Sequence, residues 1–355
     1  MKLGLLVKVR TGKLDANAAV SGGCYPFFTC SKEVSEIDTY AYDCECVLVA
    51  GNGDLNVKYY NGKFNAYQRT YIVERASSEI NMRYLYHFLS CYVDVLRRQS
   101  IGGVIKYIKL GNLTEADIKL PDKETQERIS MILDRLTHLI SLRQRQAEKL
   151  DELVKARFVE MFGECKYGGN PLSNVCKLIT DGTHQPPQFV DAGIPFLLVS
   201  NLVHNEITYD TEKFISKESY QELIKRTPIE IGDILLSIVG SYGHAGVVRT
   251  DKPFCFQRHI AYIKPDFSKL NSEFLHQALL SDAVKYQMEK RVKGIAQKTL
   301  NLSELKKIVV PISPLALQTE FSHFVHEIDC EKERIQKSAA LLETLKRSLM
   351  QQYFG

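Results

Sequence analysis

The residues best suited to chemistry in this 355-residue chain are hydrogen-bond donors set in short loops. In the first half they stand in Thr11-Gly-Lys-Leu-Asp-Ala-Asn17, Gly51-Asn-Gly-Asp54 and Lys58-Tyr-Tyr-Asn-Gly-Lys-Phe-Asn-Ala-Tyr-Gln-Arg69. The second half carries Thr180-Asp-Gly-Thr-His-Gln185, Gly240-Ser-Tyr-Gly-His244 and Phe254-Cys-Phe-Gln-Arg-His259. Arg, Lys, Asn, Gln and Ser are the types that bond base edges or hold phosphates, and Tyr and Phe stack or pack beside them. Two later stretches, Gly102-Gly-Val-Ile-Lys106 and Arg291-Val-Lys-Gly-Ile-Ala-Gln-Lys298, add basic loops suited to phosphate. Taken singly, each is more simply a structural hairpin, since Asn-Gly turns commonly close strands. Their recurrence in both halves favours a shared binding surface.

Chemistry of other kinds is not written in the chain. There is no G-x-x-x-x-G-K-[ST] phosphate cradle, no H-E-x-x-H and no G-x-S-x-G. An adenine methyltransferase needs a dinucleotide-like glycine turn and an Asn/Asp-Pro-Pro-aromatic run, whereas Pro186-Pro187 lies between Gln185 and Gln188. Pro121-Asp-Lys-Glu124 sets carboxylates beside a lysine, as metal-dependent nucleases do, but it opens a helix, where the dipole favours Asp and Glu. The nine His are scattered, and none pairs with Cys at metal-ligand spacing. No catalytic residue, metal site or cofactor is expected.

The elements that position these loops follow from an internal repeat. Ala147 to Phe162-Gly163 and Ala339 to Phe354-Gly355 end alike at an offset of 192, at which Gln126 also matches Gln318. Gln68-Arg69 pairs with Gln257-Arg258 and Asn112-Leu113 with Asn301-Leu302 at 189, and Gly23-x-x-Pro26-Phe27 resembles Gly193-x-Pro195-Phe196 near 170. The largest insertion, about twenty residues, falls in the second copy between Leu202 and Ile231. Each copy ends in an amphipathic run free of Gly and Pro. The first stripe is Ile129, Ile132, Leu136, Leu139/Ile140, Ala147, Leu150, Val154, Phe158 and Met161; the second is Leu317, Phe321, Phe324, Ile328, Ile335, Ala339, Leu342, Leu345 and Leu349. A helix of about 35 to 40 residues would be roughly 55 Å long, and one apolar stripe needs a partner. The expected fold is therefore α+β: two globular mixed α/β domains joined by two long antiparallel helices that form a coiled-coil spacer, related by a pseudo-two-fold internal repeat. The alternative is two ordinary core helices of one larger domain. Short β-rich runs at Cys46–Ala50, Arg69–Val73, Asp233–Val239 and His259–Ile263, and helical patterns from Met82 to Arg98 and Ser272 to Arg291, fill the globules. The expected boundaries are 1–121, 122–163, 164–313 and 314–355.

Composition adds limits. With 46 Lys+Arg against 42 Asp+Glu and 45% hydrophobic residues, the chain is neither a disordered tail nor a polybasic arm. The small surplus of positive charge lies in the two globules. Nine Cys, with close pairs Cys44/Cys46 and Cys24/Cys30 and no C-x-x-C, fit reduced thiols better than a disulfide framework or zinc ribbon. Charge interrupts the N-terminus too early for a signal peptide, and no stretch approaches 18 apolar residues, so a soluble cytoplasmic protein without membrane contact is expected.

Two globules, each followed by a long helix ending in Phe-Gly, resemble the specificity subunit of type I restriction-modification systems. Gly12-Lys-Leu-Asp-Ala-Asn17 with Tyr25-Pro-Phe-Phe-Thr-Cys30, and Thr180-Asp-Gly-Thr-His184 with Ile194-Pro-Phe-Leu-Leu-Val-Ser-Asn201, resemble the openings of two target-recognition domains. Leu139 to Gly163 and Ile335 to Gly355 resemble the spacer regions of that family. The resemblance covers essentially the whole chain. It implies a non-catalytic DNA-binding subunit in which each globule reads one half of a bipartite, asymmetric target while the helix pair sets the gap. It further implies double-stranded DNA, two modification (adenine methyltransferase) subunits and two restriction (ATP-dependent motor-endonuclease) subunits as partners. The residues then expected near DNA are Lys13, Asn17, Asn52, Lys58, Tyr59, Lys63, Gln68 and Arg69 in the first domain. In the second they are His184, Gln185, Asn201, Ser241, Tyr242, His244, Arg258 and Lys298. Arg69 and Arg258 are suited either to guanine or to phosphate. Two other classes stay open at this point: a coiled-coil adaptor that binds no DNA, and the targeting part of a nuclease or methyltransferase.

Overall fold

The computed structural model describes residues 1–163, 168–294 and 298–355. Along the chain come β1 (Val7–Thr11), β2 (Tyr25–Phe28), β3 (Ser35–Ile37), β4 (Tyr42–Ala50), β5 (Val57–Ala66), β6 (Thr70–Arg75), α1 (Met82–Gln99), α2 (Leu110–Thr114) and the 40-residue α3 (Lys123–Phe162). Next are β7 (Gly169–Pro171), α4 (Leu172–Val175), β8 (Cys176–Asp181), β9 (Phe189–Val190), β10 (Ile194–Leu197), β11 (Leu202–Val203), β12 (Glu206–Ile207), β13 (Phe214–Ile215) and α5 (Lys217–Leu223). The last group is β14 (Ile234–Ser237), β15 (Ala245–Val247), β16 (Cys255–Phe256), β17 (Ile260–Pro265), α6 (Ser272–Leu280), α7 (Asp282–Arg291), α8 (Leu302–Leu305), β18 (Val309–Pro311) and the 40-residue α9 (Leu315–Phe354). The chain divides into two compact units, Met1–Arg145 with Ile335–Gly355, and Gln146–Arg334. Among the described residues no helix is long and apolar enough to cross a membrane.

The first unit is built on a six-stranded sheet of order β1-β6-β4-β5-β2-β3, in which only β2 and β5 run parallel. The unbroken apolar run Cys46-Val-Leu-Val-Ala50 is explained by cover on both faces. Val47 and Val49 point to the side of α1, with Tyr84, Leu85, Phe88 and Leu89, while Cys46 and Leu48 join Phe28, Phe64 and Ile72 on the other. Such two-residue alternation locks the register, because a slip by one residue would exchange the faces. Asn81 caps α1 by accepting from the Arg83 and Tyr84 backbone N–H groups. The second unit repeats this plan with its strands in pieces. The ladder β15-β14-β17-β8 corresponds to β5-β4-β6-β1, and β10 pairs parallel with β16 as β2 pairs with β5. The long β5 is thus divided into β15 and β16. The expected insertion is two separate additions, the β11–β12 hairpin before β13 and α5 after it.

A buried glutamine ties each long helix to its globule. Gln126 accepts from the Asn81 N–H at 2.9 Å and donates to the Glu79 and Pro121 carbonyls at 2.9 and 2.8 Å. Gln318 does the same with Asn271 N–H at 2.8 Å and the Lys269 and Ser313 carbonyls at 3.0 and 2.8 Å. Asn81 and Asn271 are in turn the caps of α1 and α6. The terminal phenylalanines show a further symmetry. In the second unit Phe162, from the end of α3, packs edge-on to Phe274 at 4.7 Å and near Phe321; in the first, Phe354, from the end of α9, packs against Tyr84 at 5.1 Å. Each unit therefore contains the beginning of one long helix and the end of the other. Within the second unit the ion pairs Asp151–Lys332 at 2.7 Å and Arg157–Glu320 at 3.3 Å set the two helix segments running in opposite directions.

The structure moves some details of the expected pattern. Ile132 and Leu139 are 38% and 37% exposed, while Leu133 is fully buried. Ile129, Leu133, Leu136 and Ile140 advance by alternating steps of four and three, which keep one seam on one side of a helix, and Ile132 and Leu139 fall on its flank. The repeat alignment also shifts. Gly12 N–H and Gly182 N–H donate to the Thr70 and Ile260 carbonyls, and Gly51 N–H and Ile238 N–H to those of Arg69 and His259. Arg69 therefore corresponds to His259, and Gln68 to Arg258, one residue away from the register of the identical dipeptides. Likewise Leu113 matches the buried Leu305 rather than Leu302. Ladder geometry fixes the correspondence, and identity of solvent-facing side chains does not.

Candidate nucleic-acid interface

In each unit the donor-bearing loops are drawn together by backbone hydrogen bonds beyond the ends of the strands. In the first, Lys13 N–H donates to the Ala66 carbonyl at 3.2 Å, Gln68 N–H to Leu14 at 2.8 Å and Gly51 N–H to Arg69 at 2.8 Å. Gly53 N–H donates to Lys106 at 2.9 Å, and Ile108 N–H to Gly51 at 2.9 Å. Four separate stretches of sequence thus form one rim. Glycine is required where they cross: a Cβ on Gly12 would lie 2.1 Å from the Ala66 carbonyl oxygen. In the second unit Thr183 N–H bonds Phe256 at 3.2 Å, Arg258 N–H bonds Thr183 at 3.1 Å, and Gly240 N–H bonds Lys298 at 2.9 Å. A Cβ on Gly182 would lie 2.2 Å from the Phe256 carbonyl oxygen. The same clasp is therefore built twice beneath different side chains.

Side chains on the first rim divide into two groups. Lys13, Asn17, Gln68 and Arg69 are exposed and Asn52 is half-buried; their side chains make no hydrogen bond or ion pair among the described residues. Lys63 is exposed on β5 with its ammonium 4.6 Å above the Tyr40 ring. Lys58 is instead half-buried, donating to the Ser31 carbonyl at 2.6 Å and to Asn56 Oδ1, and burial pushes its pKa down. Tyr59 donates to Glu45 Oε1 at 2.8 Å under the Arg83 guanidinium, and burial, then the Glu45 carboxylate, pushes its hydroxyl up to about 12. Both are fastened into the body of the unit.

On the second rim Gln185, Ser241, Arg258 and Lys298 are exposed, with Tyr242 and His244 half-buried beside them. The Lys298 ammonium stands 5.9 Å from the Tyr242 ring centre. Residues 295–297 of the basic loop Arg291 to Lys298 lie outside the described residues. Burial, followed by the Arg258 charge, pushes His259 below its usual pKa, which keeps it neutral at pH 7. Asn201 is buried: its carbonyl accepts from Leu198 N–H at 2.9 Å and its amide donates to the Thr208 and Asp210 carbonyls at 3.1 and 2.8 Å. It holds the backbone around the β11–β12 hairpin. His184 lies 3.2 Å from Asp181, which also pairs with Arg226. Sequence reasoning did not single out Arg226, whose partner Asp181 lies 45 residues away in the chain.

The arrangement offers exposed donors on two rims, suited to acceptors on base edges and phosphates. Among the described residues no three His, Cys, Asp or Glu side chains are grouped to hold a metal ion.

The family model described as the type I restriction modification DNA specificity domain matches residues 1–152 and 174–344, one stretch in each repeat. The chain is 27% identical over 393 residues to the type I restriction enzyme EcoDI specificity subunit of Escherichia coli, spanning 100% of this chain and 87% of that protein. It is 24% identical to the EcoBI specificity subunit of the same organism, over 87% of this chain and 73% of that one. Among solved structures, the S subunit of the type I restriction-modification system of M. genitalium shares the fold, with a TM-score of 0.62 at 16% identity over 100% of this chain and 95% of that chain.

Proposed function

Since the chain belongs to the type I restriction-modification DNA specificity family, we propose that it selects the sequence on which such a complex acts. Each unit's rim reads one half of a bipartite, asymmetric target in double-stranded DNA. The observation that carries this reading is the clasp built twice: one backbone framework presents two different sets of donors, as two different half-sites require. In the first unit Lys13, Asn17, Asn52, Lys63, Gln68 and Arg69 face DNA. In the second His184, Gln185, Ser241, Tyr242, His244, Arg258 and Lys298 do so. Lys58, Tyr59 and Asn201, whose polar groups are already engaged, support the rims from behind.

In this reading the chain is organised as a recognition domain (1–121), a central spacer helix (122–163), a second recognition domain (164–313) and a C-terminal spacer helix (314–355), of which 164–167 lie outside the described residues. The 40-residue α3 and α9 form an antiparallel coiled coil that sets the gap between half-sites. At about 1.5 Å per residue each is roughly 60 Å long, enough to span more than one turn of DNA of roughly 34 Å. Two modification subunits dock on the chain, followed by two restriction subunits. Methylation and cleavage take place on those partners in the cytoplasm, and this chain contributes no catalytic group. The modest net charge of +4 accords with partners that supply many of the phosphate contacts. The experiment is DNA protection by the chain purified with its modification partner. Two protected patches separated by a fixed gap support the proposal; no protection would favour a coiled-coil adaptor.

A further inference from the structure

The segment that the second unit inserts between β13 and β14 delivers one more basic side chain to its rim. Tyr220 and Leu223 of α5 pack against Phe196, Ile215 and Cys255, and Thr227 just beyond is buried. Arg226 therefore stands on a short, fixed arm. Its Nη2 pairs with Asp181 Oδ1 and lies 3.4 Å from both Thr180 Oγ1 and His184 Nε2, while His184 Nε2 is 3.2 Å from Asp181 Oδ2. The carboxylate is 11% exposed and the arginine 50%, so the acid lies beneath and the guanidinium reaches solvent. Nη1 makes no hydrogen bond among the described residues. This cluster adjoins the Thr183 backbone that clasps Arg258. The first unit has no equivalent: Thr11 precedes Gly12 where Asp181 precedes Gly182, and β3 leads almost directly into β4.

Pairing with Asp181 changes what the arginine is good for. A phosphate contact depends on charge, and a carboxylate in direct contact cancels most of that attraction. Nε is turned to Thr180 Oγ1 at 3.4 Å and Nη2 to Asp181, so the two N–H bonds of Nη1 remain as directional donors, and anchoring reduces the rotamer freedom lost on binding. A neutral acceptor pair such as O6 and N7 of guanine suits this group better than phosphate. We propose that Arg226, oriented by Asp181 and flanked by His184, is a base-reading residue that recognises a guanine in the second half of the target. The inference rests on the function proposed above.

The test expresses the full chain with its modification partner in cells and maps methylated adenines for the wild type, Arg226→Ala and Arg226→Lys. The wild-type motif is expected to contain a guanine in the half read by the second unit. Both variants lose discrimination at that base pair by about 5- to 150-fold, with the other half and the gap unchanged. Lysine keeps the charge and the Asp181 pairing but lacks the fork, so a merely structural clip would be rescued by it. A motif restored by lysine, an equal loss on every sequence, or a second half without guanine overturns the proposal. A wild-type chain with no bipartite motif refutes the parent function as well.

Discussion

Replacing Gln318 with leucine should loosen the second globule from the start of α9. The side chain is fully buried and bridges three backbone groups: the N–H of Asn271, the residue whose side chain caps α6, and the carbonyls of Lys269 and Ser313. Leucine fills nearly the same volume, so the cost comes from the stranded polar groups rather than from a cavity. A buried group without a partner costs about 1 to 3 kcal/mol. Taking about 1 for each half-exposed partner and about 2 for the buried Ser313 contact gives a loss of about 4 kcal/mol. Gln126→Leu removes the matching three bonds in the first unit, all half-buried, for a loss of about 3 kcal/mol. Gln336→Leu, at an exposed position of α9, should stay within about 0.5 kcal/mol. Hydrogen exchange across residues 269–275 and 79–85 of the full chain reads these opening energies segment by segment. A loss below about 1 kcal/mol for Gln318→Leu, or one equalled by Gln336→Leu, would refute the view that these glutamines fasten globule to helix.

Gly12→Ala and Gly182→Ala place a methyl group against a backbone carbonyl and should each open a clasp, lowering stability by about 1 to 3 kcal/mol and abolishing DNA protection. Melting curves unchanged from wild type would contradict this. His276 is buried, with Nε2–H donating to the Asn205 and Ala245 carbonyls at 3.1 and 2.9 Å and Nδ1 lacking any partner among the described residues. Burial pushes its pKa below 6.5, so the folded state binds fewer protons than the unfolded one. The resulting stability is complete above pH 6.5 and is lost as pH falls from there through the folded-state pKa; a nuclear magnetic resonance titration finding His276 protonated at pH 7 would contradict it. Arg69→Ala and Arg258→Ala, with exposed side chains, should change stability by no more than about 0.5 kcal/mol yet weaken DNA binding. A phosphate contact lowers the salt slope by about 1 and a base contact costs about 1 to 3 kcal/mol at one position; a large drop in melting temperature refutes the surface role.

What the sequence made legible was largely what repeats in both copies. Gln126 and Gln318 stood out at one offset because both make the same three bonds, and Phe162-Gly163 and Phe354-Gly355 because each phenylalanine fills a matching aromatic cluster. The first helical stripe was readable to within a residue, whereas in the second Leu345, expected on the apolar side, is 48% exposed. Leu133 was passed over for Ile132 because both are apolar and only packing against a partner distinguishes seam from flank. Donor-rich loops could be found by type, but not which donors are free. Lys58, Tyr59 and Asn201 look like their exposed neighbours in sequence, and their engagement depends on Ser31, Glu45 and Asp210, contacts between segments distant in the chain or in separate loops. Arg226 was hidden for the same reason: its meaning comes from Asp181, 45 residues away. The paired dipeptides Gln68-Arg69 and Gln257-Arg258 misled by one residue, since surface side chains drift while ladder bonds do not.

The most direct measurement is the pattern of methylated adenines in DNA from cells that express this chain with its modification and restriction partners. Two dissimilar short half-sites separated by a constant gap, absent when the chain is deleted, are the predicted result. A continuous or palindromic motif, or methylation unchanged by the deletion, would contradict the account.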